Sequence, residues 1–299
     1  VSESALVPVS RTFGSRRPSW LVPPPLRPLV REIDERIARV PTRVNEYGFD
    51  PFGFDPEFAR PLLLGLTLVY RHYFRVETRG IERVPPGRVL LIGNHAGNTF
   101  AWDGTMLGMA LFLEGDPPRM ARGMAEYYLP KIPFFNVFMH RIGSVVGTPG
   151  NCAQLLRQEE AIMVFPEGQR GFVKTYRQRY RLQRFGLGFL RLALETDTPI
   201  VPVGIVGGEE QSPGLANVRP LGRLVGAPAF PITIGFPWLG LAGFLPLPVK
   251  FRIHFGEPLH FQGDPADDDA AIEKQVAVVK GSIRELIAEA RAARRSWFG

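Results

Sequence analysis

Cysteine is nearly absent from this sequence: Cys152 stands alone among 299 residues. A single thiol excludes an internal disulfide and a zinc ribbon, and it speaks against a secreted, cross-linked fold. Free cysteine is among the most buried residue types, so Cys152 reads as a small core residue rather than a nucleophile. Also lacking is any uninterrupted run of about 18 apolar residues, so no spanning helix is expected. Two shorter apolar segments, residues 61–70 (PLLLGLTLVY) and 236–249 (FPWLGLAGFLPLPV), suit a core or a membrane interface instead. The first twenty residues lack the apolar centre and small-residue cleavage site of a signal peptide, and none is expected. There is no G-x-S-x-G elbow, the signature of a nucleophilic serine in α/β-hydrolases. Histidine occurs only five times and in no ligand cluster, so no metal is expected.

What is present describes a folded chain. Hydrophobic residues make up 45% and charged residues 22%, enough to bury a sizeable core and too little charge for disorder. Lys and Arg number 36 against 29 Asp and Glu, a net charge of +7. That balance favours an anionic partner: a phospholipid surface, a phosphorylated small molecule, an acidic protein or nucleic acid.

Along the chain, residues 1–30 are rich in Pro and Arg and read as an extended arm. Helical spacing appears over 29–40, with Val30, Ile33, Ile37 and Val40 in step. It resumes over 57–73, an apolar stretch ending in Arg71, His72, Tyr73, Phe74 and Arg75. Such a helix suits either a headgroup boundary or a buried packing face. From residue 75 short apolar runs alternate with helical patterns. Strands are predicted at 74–77, 89–92, 142–146, 161–165 and 200–205. A further strand at 250–255 alternates as if one face were exposed. Helices are predicted at 105–113, 153–159 and 185–195. The strongest helix runs from 267 to 294, with Ile272, Val276, Val279, Ile283 and Ile287 in register, aspartates at its start and arginines at its end. Strands alternating with helices give an α/β fold: a mixed central sheet flanked by helices, preceded by an N-terminal helical segment and closed by a C-terminal amphipathic helix.

Three polar loops follow strand ends, where α/β sheets bind ligands. They carry His95 and Asp103, then Arg141, then Glu167 and Arg170. An imidazole with a carboxylate nearby is a candidate general base with its orienting partner. Arg141 and Arg170 offer paired donors suited to phosphate. Gly168 and Gly171 permit close backbone approach. Residues 174–184 (KTYRQRYRLQR) mix basic and aromatic side chains, as single-stranded nucleic-acid binders do. With no nucleic-acid module alongside, a solvated or membrane-facing loop is expected there.

The order of these blocks resembles the glycerolipid acyltransferase superfamily, of which the lysophosphatidic acid acyltransferases are members. Asn94, His95 and Asp103 match its first block and Phe138 and Arg141 its second. Phe165, Pro166, Glu167, Gly168 and Arg170 match the third, and Ile200, Val201, Pro202 and Val203 the fourth. Seven residues separate His95 from Asp103 where the family usually has four, as in a branch with a lengthened, Gly-containing loop. His140 stands where the family often has an acid.

The resemblance implies acyl transfer from a thioester to a glycerolipid hydroxyl, without an acyl-enzyme. His95 and Asp103 would be catalytic, Gly97 near the oxyanion, and Arg141, Glu167, Gly168 and Arg170 around the acceptor headgroup. For Glu167 a salt-bridged structural role stands beside that one. No cofactor is implied, only acyl-CoA or acyl-ACP (acyl carrier protein) as co-substrate. The expected partners are a membrane phospholipid surface and a lysolipid or other glycerolipid acceptor. The expected location is peripheral, on the cytoplasmic face of a membrane. Residues 1–74 would form a membrane-associating arm with helices and 75–299 the acyltransferase domain. The alternative readings are a lipid-binding member without catalysis and a basic nucleic-acid-binding protein.

Overall fold

Three runs of β-branched and aliphatic residues build the centre of the fold. In the computed structural model, which describes residues 6–8, 23–96, 100–125, 134–224, 230–294, 296 and 298, Val89–Gly93 (β4), Ala161–Val164 (β7) and Ile200–Val206 (β8) lie side by side. Most of the arm, Gly97 and residues 126–133 fall outside the described residues. Strands β1 (Leu6–Pro8) and β2 (Pro41–Arg43) form a separate antiparallel pair. The main sheet adds β3 (Glu77–Arg79), β5 (Arg122–Ala125), β6 (Val145–Val146) and β11 (Arg252–Phe255), in the order β3-β11-β8-β4-β7-β5-β6. Only the β11–β8 pairing is antiparallel. Strands β9 (Gly214–Val218) and β10 (Phe230–Thr233) form an antiparallel pair outside the main sheet.

Both faces of the sheet are covered, which is why its central strands are continuously apolar. Leu91, Met163 and Val203 face a cluster made with α1 (Arg27–Arg39), α2 (Pro56–Leu68) and α3 (Trp102–Leu113). Leu90, Ile92 and Ile162 face the opposite cluster, made with α5 (Pro149–Arg157), α7 (Gly188–Thr196) and α9 (Asp269–Ala292). Cys152 sits on α5 against Met124, its thiol pushed up to about 11 by burial. Asp268 caps α9, accepting from the Ala271 N–H at 2.7 Å, and all five predicted apolar positions of that helix are buried. The helix lies flat on β8 because Gly204 has no side chain. A Cβ there would come within 2.7 Å of Leu286 Cβ and 2.8 Å of the Ile287 backbone nitrogen. Gly204→Ala is therefore expected to cost about 1–3 kcal/mol of stability, read as a lower urea midpoint at unchanged slope.

Three strands depart from expectation. The run predicted at 142–146 is a strand only at Val145–Val146, because Phe135–Arg141 is helical and Ile142 caps that helix, so Arg141 ends a helix rather than following a strand. β11 does not expose a face: Arg252 and His254 are both buried. Arg252 pairs with Glu77, and the ring of His254 lies 3.9 Å from Glu289 on α9, so the polar side of the alternation is covered as well. The first strand of the sheet begins at Glu77, because the helical path of α2 continues as a wider turn through Val69–Tyr73.

Connections from β4 and β7 leave in opposite directions. β4 leads through α3 to β5, beyond β7; β7 leads through α7 to β8, beyond β4. Adjacent parallel strands that diverge in this way leave a crevice at their carboxyl ends. The loops carrying His95 and Glu167 open into that crevice.

Candidate active site

Asn94, one residue past β4, is fully buried and continues the sheet with its side chain. Its Nδ2 donates to the Ile205 carbonyl at 2.9 Å, and its Oδ1 accepts from the Ile205 N–H at 2.8 Å. Only a carboxamide offers donor and acceptor together in that way. The backbone is thus held in line with β8 up to Asn94, and His95 is the first residue to turn out of the sheet.

Asp103, in the first turn of α3, meets His95 across the loop. Its Oδ2 lies 2.7 Å from His95 Nδ1. The same oxygen accepts from the Ala96 N–H at 2.7 Å, and Oδ1 accepts from the Gly104 N–H at 2.8 Å. The seven-residue spacing therefore closes into a tight pair, with Phe100 directed to solvent. Burial works against charge on Asp103, but the imidazole and the two amide donors outweigh it and hold the carboxyl below its ordinary value. Burial also opposes the imidazolium, yet the Asp103 carboxylate leaves His95 raised above 6.5. An ionised Asp103 requires a proton on Nδ1, which puts the basic lone pair of the neutral ring on Nε2.

Phe165 stacks on the imidazole, ring centroids 4.9 Å apart. Room for it comes from Gly93 and Gly104, where a Cβ would lie 3.1 and 3.2 Å from its ring. Gly171 allows the Phe-Pro-Glu-Gly loop to lie against His95: a Cβ there would sit 2.8 Å from the Cβ atoms of both Glu167 and His95. Gly168 has φ +52°, a left-handed geometry that favours glycine.

The structure brings Glu167 to His95 through the backbone. Its Oε1 accepts from the His95 N–H at 3.0 Å, and its Oε2 accepts from the Gln183 N–H at 2.7 Å. The carboxylate is buried, with Lys174 Nζ 3.6 Å away. Lys174 is itself buried and donates to Glu209 at 3.0 Å. Burial pushes the Glu209 carboxyl above its ordinary value, against the Lys174 ammonium and the Tyr180 N–H, which favour its charge. The tyrosine at 180 adds its N–H to Glu209 and its hydroxyl to Glu210, and Arg294 reaches Glu210 at 2.8 Å.

Lys174 and Tyr180 are thus internal braces rather than part of a solvated loop, while Arg177, Arg179, Arg181 and Arg184 are exposed. Sequence reasoning missed Glu209 altogether. Its signal was the acid pair Glu209-Glu210 directly after the strand IVPVGIV and two glycines.

Arg141 and Arg170 both face solvent. Arg141, at the end of α4 (Phe135–Arg141), is exposed with its guanidinium 5.0 Å over the Phe58 ring. Arg170 is exposed on α6 (Gln169–Phe172).

From His95 an apolar cavity of about 370 Å³ runs alongside α3. Gly104, Gly108 and Phe112 mark its course, four residues apart on one helix face, a span of about 12 Å. Leu63 and Leu66 of α2 wall one side, Met163 and Gly123 of the sheet another. Gln169 and Ala101, both exposed, stand at the His95 end.

A mostly parallel α/β sheet whose switch point joins an Asn-His…Asp loop to a Phe-Pro-Glu-Gly loop, beside a largely apolar cavity, is the build of an acyltransferase domain. Comparison with known proteins agrees: the Acyltransferase family model matches residues 75–206. The chain is 39% identical over 260 residues to an uncharacterized protein of Mycobacterium leprae (strain TN), covering 85% of this chain and 71% of that one. It is equally identical over 263 residues to an uncharacterized protein of Mycobacterium tuberculosis (strain ATCC 25618 / H37Rv), covering 85% and 72%. This protein belongs, with these mycobacterial relatives, to the acyltransferase family.

More distant is a Mus musculus protein named DGAT1/2-independent enzyme synthesizing storage lipids, 25% identical over 214 residues, covering 71% of this chain and 59% of that protein. Among solved structures, the 1-acyl-sn-glycerophosphate (LPA) acyltransferase PlsC from Thermotoga maritima aligns with a TM-score of 0.46 and 21% identity, covering 81% of this chain and 85% of that one.

Proposed function

We propose that this acyltransferase moves a fatty acyl group from a thioester, acyl-CoA or acyl-ACP, to the hydroxyl of a lysophospholipid or related glycerolipid. The observation that carries the reading is the cavity: it reaches the imidazole, and its lining is mostly apolar. A fatty chain seated along α3 would leave its thioester carbonyl beside His95. Nε2 takes the proton of the acceptor hydroxyl as that oxygen bonds to the carbonyl carbon. The carbon–sulfur bond then breaks, and the leaving thiolate recovers the proton from the imidazolium. Asp103 holds the ring and stabilises its charged form, so no acyl-enzyme is required. The reaction needs no cofactor.

Glu167 serves as a positioning residue, fixing the His95 backbone through the bond at 3.0 Å. Gly168 lines the cavity next to it, and Arg141 and Arg170 offer exposed guanidinium groups to the phosphate of the acceptor. A net charge of +7 and the apolar stretches of the N-terminal segment, residues 1–74, support work at the cytoplasmic face of a membrane, held peripherally. Among the described residues no helix is long and apolar enough to cross a membrane.

The test is a pH profile of kcat/KM with a dispersed lysolipid acceptor. The base must be neutral, and His95 is raised, so activity should fall on the acid side with a midpoint above 6.5. Removing the carboxylate that raises it, by Asp103→Asn, should move that midpoint down. A profile flat from pH 5 to 8, the window a histidine commands, contradicts the base assignment.

A further inference from the structure

Residues 224–249 contain no charged side chain. Their centre, residues 234–247, forms a loop with a core of its own. Phe236 stacks on Phe244 with centroids 4.4 Å apart, and Phe230 packs edge-on against both. Thr233 Oγ1 donates to the Gly243 carbonyl at 3.1 Å and accepts from the Phe236 N–H at 3.0 Å. Gly235 and Gly243 touch so closely that a Cβ on either would collide with the other's backbone. The aromatic rings thus pack on one another, and turns at Leu239, Gly240 and Leu245 brace the backbone from within.

What remains faces solvent. Trp238, Leu239, Leu241 and Leu245 are 75, 67, 84 and 70% exposed. Large apolar side chains grouped on a braced loop mark a contact surface rather than slack chain.

The loop hangs from the edge of the sheet that carries His95. The Leu247 N–H donates to the Gln211 carbonyl at 2.6 Å and the Ile234 N–H to that of Pro213 at 3.2 Å, both in the segment that follows the carboxyl end of β8. The end of the α2 turn joins it there: the Tyr73 hydroxyl donates to the Pro246 carbonyl and Arg75 to that of Pro248. The guanidinium of Arg75 donates only to backbone carbonyls, so among the described residues no carboxylate neutralises it. Exposed His72 lies three residues before it in sequence, and Arg219 and Arg223 precede the uncharged stretch.

We propose that this loop is the membrane-docking element of the protein. Trp238, Leu239, Leu241 and Leu245 enter the acyl boundary of an anionic phospholipid bilayer while Arg75 stays at headgroup level, so that the His95 edge of the sheet faces the lipid. Trp suits that boundary, and cations beside a shallow apolar insertion gain from anionic headgroups. A second copy of the chain fits less well, because a two-fold contact through this face would set Arg75 against its own symmetry mate. The proposal deepens the peripheral reading above and rests on it for the kind of partner.

The test is co-sedimentation of the full chain with phosphatidylcholine vesicles containing phosphatidylglycerol, comparing wild type with a Leu239→Asp/Leu241→Asp double variant. Both positions are exposed, so circular dichroism should be unchanged. Vesicle binding is expected to weaken about a hundredfold, with transfer to a detergent-dispersed acceptor retained. In a second measurement, emission assigned to Trp238 by difference from Trp238→Phe should shift to the blue on vesicles.

Wild type and double variant binding alike, or Trp238 emission unmoved while the protein is bound, overturns the loop proposal and leaves the peripheral reading standing. Wild type failing to bind vesicles overturns both. Light scattering that shows a dimer lost in the double variant, with vesicle binding intact, assigns the face to a second copy and overturns the proposal.

Discussion

Replacing His95 by alanine is expected to lower acyl transfer by about 10²–10⁴-fold, the range that a positioned general base supplies, and to leave the fold intact. The second half of that statement follows from the geometry. Asp103 loses one of three donors but keeps the Ala96 and Gly104 N–H groups, so its buried carboxylate remains hydrogen-bonded. Glu167 loses nothing, because it is held by the backbone N–H of residue 95 and not by the ring. Phe165 loses a stacking partner and gains a small void. Asp103→Ala is the poorer test of chemistry, since it would strip a buried acceptor from the Ala96 N–H and confound catalysis with loop geometry. A His95→Ala protein that melts like wild type yet turns over at the wild-type rate contradicts the mechanism.

Gly108→Leu should change which acyl chains are accepted. Gly108 lines the cavity one turn beyond Gly104, and a Cβ there meets only ordinary contacts, Met163 Cε at 3.5 Å being the nearest. The helix therefore tolerates a side chain, and a leucine would fill space that a long chain needs. A short donor such as a hexanoyl thioester ends nearer His95 and passes the blocked position less often. The ratio of kcat/KM for hexadecanoyl over hexanoyl donors should fall by at least about 10–200-fold, the discrimination a pocket makes for a single methylene. An unchanged ratio in a folded variant places the acyl chain elsewhere.

The central strands were legible because burial on both faces forces a continuous apolar run, as in Val89-Leu90-Leu91-Ile92 and Ala161-Ile162-Met163-Val164. α9 was legible because one face carries all its core residues. β5 was not: Arg122-Gly123-Met124-Ala125 has no strand pattern, and its first residue is a buried cation whose Nη2 pairs with Asp50 at 2.5 Å and Glu160 at 3.2 Å. Those partners lie 72 and 38 residues away, so nothing local announces the strand. β11 misled for a related reason, its alternation hiding two buried polar residues, Arg252 paired with Glu77 and His254 packed beneath α9.

At the site, His95 and Asp103 stood out because chemistry and spacing coincide in one loop. Lys174 and Glu209 did not, because a buried pair 35 residues apart looks in sequence like two surface charges. The cavity was invisible beforehand, since it depends on Gly104, Gly108 and Gly123 meeting from a helix and a strand.

The most direct test of the account is a single reaction followed two ways: the protein with a fatty acyl thioester, without and then with a lysophospholipid acceptor, monitored by free-thiol release and by intact-protein mass. The account predicts that the protein mass stays unchanged throughout and that thiol release starts on adding acceptor, matched by acylated lipid. An acyl adduct on the protein in the absence of acceptor, or full transfer by His95→Ala, would contradict direct attack by a hydroxyl activated at His95.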